Sequence, residues 1–93
     1  MHERILTKLR NLVRLRRYVM TLHAEEEMSD DNLTIFDVEH GILTGKVIER
    51  QKDRETAEWK YLVKGQALSG EYIVVVVKVG RSGKLVFVTV YAV

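Results

Sequence analysis

The fold class this sequence predicts is α+β: N-terminal helices packed on a twisted, mainly antiparallel sheet of four to five strands. Three observations lead there. Apolar residues recur at helical spacing as far as Gly45 and at alternate positions beyond it. The 93 residues suffice for one hydrophobic core, so a single domain is expected over 1–93. With 46% hydrophobic and 30% charged residues and no proline, the chain has the composition of a globular domain rather than a disordered tail.

The elements follow in order. Ile5, Leu6, Leu9, Leu12 and Val13 mark one face of a first helix, with Lys and Arg opposite. That apolar face is expected to cover one side of the sheet. Tyr18–Leu22 is a short apolar stretch suited to a strand. His23–Met28, rich in Ala and Glu, reads as a short helix ending in the polar Ser29-Asp30-Asp31-Asn32 run. Thr34 is the N-cap of the next helix, and Asp37 reaches back to it as in a capping box. Ile35, Val38, Ile42 and Leu43 form its apolar stripe, and Gly45 is expected to close it in the left-handed conformation.

After Gly45 the period changes to two. Val47 and Ile48 open a strand toward Lys52, and Asp53–Thr56 is turn-like. Ala57, Trp59, Tyr61 and Val63 alternate with Glu58, Lys60, Leu62 and Lys64, the pattern of a half-buried strand. Gly65 and Ser69-Gly70 mark a bend. Tyr72–Val79 is almost wholly β-branched and reads as a central strand covered on both faces. Gly80–Gly83 is a hairpin turn; it lacks phosphate-loop spacing and leads into a strand, not a helix. Lys84–Val93 is the last strand, and simple alternation puts Thr89 and Tyr91 on the face of Leu85 and Phe87.

The net charge of +2 conceals a segregation. Residues 1–17 carry six Lys/Arg against Glu3, residues 18–43 carry seven acids and no Lys or Arg, and residues 44–93 carry nine Lys/Arg against five acids. Basic segments attract phosphates and the acidic one repels them. The absence of cysteine excludes disulfides, a thiolate nucleophile and a zinc–thiolate site. The longest apolar run, Ile73–Val77, is too short for a membrane helix, and basic residues interrupt any signal-peptide core near the start. A cytoplasmic setting is the expectation.

Four groups of residues carry chemistry. His23 stands three and four residues before Glu26 and Glu27, placing an imidazole and two carboxylates on one helical face suited to proton transfer. A metal site there lacks a second matching pair, since His2 and His40 lie far off in sequence. Trp59-Lys60-Tyr61 interleaves aromatic and basic residues as nucleic-acid-binding sheets do, with Lys60 opposite the two rings. Lys78 is the single charge in an apolar strand and is expected to emerge at its end or face a cleft. The hydroxyls of Thr89 and Tyr91 call for partners or a cleft.

A wider set of residues resembles a known family. Thr21-Leu22-His23-Ala24, Glu26-Glu27-Met28, Leu33-Thr34 with Asp37-Val38, Ile42-Leu43-Thr44-Gly45 and Val47-Ile48-Glu49 are similar to the small prokaryotic family called domain of unknown function 4258. Tyr61-Leu62-Val63, Gly65-Gln66, Val74–Lys78 and Val88-Thr89-Val90-Tyr91 continue the likeness. It covers Tyr18 to Tyr91, leaving 1–17 as a basic helical extension of a core over 18–93. Many members have Arg-Met where this chain has Glu27-Met28. That family in turn resembles the RelE-like toxins.

The resemblance implies a toxin of a type II toxin–antitoxin pair that cleaves RNA without metal or other cofactor. Its implied partners are RNA and a cognate antitoxin, of the YgiT/MqsA zinc-finger type. Metal-free cleavage needs a 2′-hydroxyl deprotonated, phosphorane charge stabilised and the leaving oxygen protonated. His23 is the candidate base or acid, Tyr91 positions or protonates, Thr89 holds a phosphate oxygen and Glu27 orients His23. Lys60, Lys78, Arg50 and Arg54 are the candidate RNA-binding cations. The alternative is a non-catalytic RNA- or protein-binding module of the same fold.

Overall fold

A computed structural model of the chain describes residues 2–93. The 3.6-residue apolar stripe forms α1 (Glu3–Arg14), which buries Leu9 and Val13 completely or nearly so. It stops without glycine: Arg16 takes a positive φ of 55°, and the Arg16 and Arg17 amides turn back to the Val13 and Leu12 carbonyls. The following strand β1 is only Tyr18–Met20, because the Thr21 hydroxyl accepts the Ala24 amide and starts α2 (Leu22–Asp30) earlier than expected. Asn32, also at positive φ, ends α2 in the same way as Arg16 ends α1. In α3 (Ile35–Thr44) the expected capping box is complete: Asp37 N–H donates to Thr34 Oγ1 at 3.4 Å, and Thr34 N–H donates to Asp37 Oδ2 at 2.8 Å.

The remaining strands are β2 (Lys46–Lys52), β3 (Trp59–Gln66), β4 (Tyr72–Val79) and β5 (Leu85–Ala92). They form an antiparallel meander, and β1 adds to it in parallel, giving the order β1-β5-β4-β3-β2. Ala57 lies outside the strand expected to contain it; its φ of 60° places it in the turn, and β3 begins at Trp59.

All three helices lie on one face of the sheet. Leu9, Val13, Ala24, Met28, Val38 and Ile42 pack with Val63, Ile73, Val75, Val77, Leu85, Phe87 and Val90 in a single buried cluster. Among the described residues the other face carries no helix, which corrects the reading of β4 as covered on both sides. Val74 faces that bare side and is 3% exposed, shielded by its neighbours on the sheet rather than by a second layer.

Two glycines were assigned the wrong purpose by sequence. Gly45 is extended (φ −88°, ψ 176°), and Gly65 lies inside β3 opposite Ile73 rather than at a bend. Both are there for close approach of α3 to β3. A Cβ at Gly65 would stand 1.9 Å from the Gly41 carbonyl oxygen, and one at Gly45 would stand 2.5 Å from the same atom. Without a left-handed cap, the end of α3 is closed from another helix: Arg10 Nη2 donates to Gly45 O at 3.0 Å and its Nε to Ile42 O at 3.3 Å.

A bulge changes the face of the last strand. Val77 pairs with Phe87 and Val76 with Thr89, so Val88 is an extra residue. Beyond it the alternation inverts. Thr89 and Tyr91 therefore stand on the bare face, opposite Leu85 and Phe87, contrary to the uninterrupted pattern.

Candidate functional site

Because β1 reaches only as far as Phe87, the rest of β5 has no neighbouring strand on that side among the described residues. Side chains of the next turn and helix take its place. Thr21 Oγ1 donates to Val88 O at 3.0 Å, Glu27 Oε1 accepts Val90 N–H at 3.1 Å, and Asp31 Oδ2 accepts Ala92 N–H at 3.1 Å. The acidic segment thus closes a sheet edge.

Glu27 also meets His23: its Oε1 lies 3.2 Å from His23 Nε2, one helical turn back. The His23 side chain is 66% exposed while that of Glu27 is 24% exposed, so the carboxylate is the anchored member. With Nε2–H donating to Glu27, Nδ1 keeps a lone pair toward solvent. Glu26 takes no part. Thr89 and Tyr91 stand beside this pair in sequence along β5, on the bare face, and neither hydroxyl has a hydrogen-bond partner among the described residues. Glu27 thus ties the His23 pair to the β5 backbone at Val90, between Thr89 and Tyr91, while those two side chains stand on the face away from α2.

The expected cations do not form one patch. The register brings Lys60 and Lys78 directly opposite each other on the bare face, since Tyr61 pairs with Val77. Each already has an acid: Lys60 Nζ is 3.4 Å from Asp53 and Lys78 Nζ is 3.4 Å from Glu58. Two backbone amides, of Glu55 and Thr56, hold the Asp53 carboxyl below its usual range, with Lys60 adding to the effect. Arg50 is on the helix side, its guanidinium 4.1 Å from the centre of the Trp59 ring, and Lys52 Nζ is 5.7 Å from the same ring. Arg54 is exposed in the turn between β2 and β3.

Two residues of the bare face were missed. Lys64 pairs with Val74, which pairs with Tyr91, so Lys64 and Tyr91 share one row across three strands. Lys64 has no acidic partner among the described residues, and its Nζ lies 5.3 Å from the exposed Tyr72 ring. The signal was present in the alternation of Lys60 and Lys64 on one side of their strand. Among the described residues no group of three or more His, Asp or Glu side chains is placed to hold a metal ion. His40 lies elsewhere, its Nδ1 2.7 Å from the Gln66 carbonyl oxygen, where it ties α3 to β3.

These features define a two-layer α+β domain with one bare sheet face and a histidine–carboxylate pair at its rim. Residues 20–92 match the model of the family Domain of unknown function (DUF4258), and the chain belongs to that family. No curated protein and no solved structure matches it. No helix among the described residues is long and apolar enough to cross a membrane.

Proposed function

We propose that the chain binds single-stranded RNA on the bare sheet face and cleaves it without a metal ion at the β5 rim, as the toxin of a toxin–antitoxin pair of RelE-like kind. The observation that carries this reading is the exposed His23 imidazole held by Glu27, a carboxylate tied to the Val90 amide between Thr89 and Tyr91, whose hydroxyls have no partner among the described residues. His23 Nδ1 takes the proton of a 2′-hydroxyl, whose oxygen attacks the adjacent phosphorus. Tyr91 O–H gives its proton to the departing 5′-oxygen, and Thr89 O–H donates to a non-bridging phosphate oxygen. The products are a 2′,3′-cyclic phosphate and a 5′-hydroxyl. Lys64 and Tyr72 supply an approaching strand with a cation and a stacking surface. The protein partner on this reading is an antitoxin, of the zinc-finger type.

The test is incubation of the purified chain with end-labelled single-stranded RNA, with and without a chelator. Cleavage indifferent to the chelator and slowed about 100-fold or more by His23→Ala is expected. Cleavage abolished by the chelator, or unaffected by both His23→Ala and Tyr91→Phe, would refute the mechanism. A second reading, RNA binding without cleavage, is favoured by one observation: Lys60 and Lys78 are each neutralised by an acid, which weakens the face as a stabiliser of phosphorane charge. Retention of RNA with no cleavage by the wild-type chain identifies that outcome.

A further inference from the structure

The sheet ends at β2, and among the described residues no strand pairs with its far side. A free edge offers backbone N–H and C=O groups to another chain, and proteins blunt such edges with charge and bulges. β2 has both devices: its register shifts between Val47 and Glu49, and Lys46 and Lys52 stand at its ends. Two further features go beyond protection. On the helix side a groove of about 440 Å³ separates β2 from α1, lined by Leu6, Arg10, Lys46 and Val47 among others. Another groove, of about 380 Å³, is lined by Lys46, Ile48, Lys64 and Tyr72 among others.

A strand sends successive side chains to opposite faces. A chain paired with the free edge of β2 would therefore place its residues alternately toward one groove and the other. Both grooves join apolar surface to cations: Leu6 and Val47 with Arg10 and Lys46, beside Glu3, and Ile48 and Tyr72 with Lys46 and Lys64. Ile48 is 54% exposed and Tyr72 equally so, which leaves apolar surface for a partner to cover. Charge selects among occupants. Full-length antiparallel pairing of two copies would set Glu49 against Glu49 and Lys46 against Lys52, so a second copy of the strand is repelled. An acidic strand meets Lys46, Arg50 and Lys52 on β2 and Lys64 across the second groove, four cations against Glu49 and, in the first groove, Glu3.

We infer that β2 is a strand-addition site for a partner protein, taking an extended segment in which acidic and apolar residues are mixed. Backbone hydrogen bonds to the edge supply the affinity common to any sequence, and the paired grooves supply the preference for acid. This site shares Lys64 and Tyr72 with the RNA reading but does not rest on it, and its test involves no RNA.

The probe is an end-capped peptide of the same length as β2 in which Glu and Val alternate. Fluorescence anisotropy reads its binding, and amide NMR spectra read its position. Saturable binding is expected, with shifts along Lys46–Lys52 and slowed hydrogen exchange of the outward β2 amides. Lys46→Glu should weaken it about tenfold. The same peptide with Lys for Glu should bind at least about fivefold more weakly, and one with alternate amide nitrogens methylated should not bind. Equal binding by the Lys or the methylated peptide, no saturable binding, or shifts confined to other surfaces would overturn the proposal. So would β2 protection that grows with protein concentration before any peptide is added, since that outcome identifies a second copy as the occupant.

Discussion

Glu27→Ala separates the two tasks the structure gives this carboxylate. The substitution removes the acceptor of the Val90 amide at 3.1 Å and the partner of His23 at 3.2 Å. Orphaning a buried amide costs about 1–3 kcal/mol. The Glu27 side chain is 24% exposed, so water recovers part of the lost bond, and a loss of about 1.5 kcal/mol is expected. For a domain of this size that lowers Tm by about 6–12 °C. Glu27→Gln keeps an acceptor oxygen for Val90 and should lose less than about 0.7 kcal/mol. His23→Ala removes only the solvent-exposed partner and should stay within about 0.5 kcal/mol of the parent. The assay is urea and thermal unfolding of the three variants, with hydrogen exchange of the Val90 amide followed by NMR. If Glu27→Ala were as stable as His23→Ala, or left Val90 exchange unchanged, the carboxylate would not be holding the strand edge.

Other perturbations probe the scaffold. Gly65→Ala drives a Cβ to 1.9 Å from the Gly41 carbonyl oxygen, a backbone atom that moves only with α3; destabilisation of about 3–5 kcal/mol is expected from thermal unfolding. Gly70→Ala meets no atom within 4 Å but holds a φ of 89°, and should cost about 1 kcal/mol. The Thr34 and Leu68 amides and nearby His40 hold the Asp37 carboxyl below its usual range. Its contribution is therefore complete above the unfolded Asp pKa of about 4 and lost as pH falls through the lower folded value, so Asp37→Asn should flatten the acid limb of a stability–pH curve. Burial and the 2.6 Å hydrogen bond to Glu39 push the Tyr18 hydroxyl up to about 12 from 10.0. The neutral form is thus favoured on folding, and stability from this group falls as pH rises from 10.0 toward about 12. Tyr18→Phe should remove that alkaline loss and cost about 1 kcal/mol near neutral pH.

What was legible in the sequence was local. The Thr34–Asp37 box needs four residues and no tertiary partner, and it stands as read. The helical stripe of α1 and the alternation of Trp59, Tyr61 and Val63 likewise follow from the neighbours' geometry alone. Features set by distant contacts were not legible. Arg16 ends α1 in a conformation usually reserved for glycine or asparagine, with no residue type to announce it. Gly65 looks like any bend-forming glycine until the Gly41 carbonyl is placed against it. Val88 is a β-branched residue within a β-branched run, so nothing in the sequence marks it as the bulge that carries Thr89 and Tyr91 to the other face. His23 with Glu27 was legible because four-residue spacing on a helix brings them together. The anchoring of Glu27 on Val90, 63 positions away, was not.

The way α2 closes the β5 edge has a geometric limit. Four residues of helix advance about 6.0 Å, while two residues of strand advance about 6.8 Å. The two lattices are nearly commensurate over one step, which lets Glu27 and Asp31 meet Val90 and Ala92 at the same 3.1 Å. Over a second step the mismatch doubles, the strand carries the bulge at Val88, and the contact there is the Thr21 hydroxyl donating to the Val88 carbonyl. His23 occupies that second step. It has no strand amide to receive and leans on Glu27 instead, its ring left in solvent. A helix standing in for a strand thus runs out of register after two teeth, and the residue at the third position is left facing solvent.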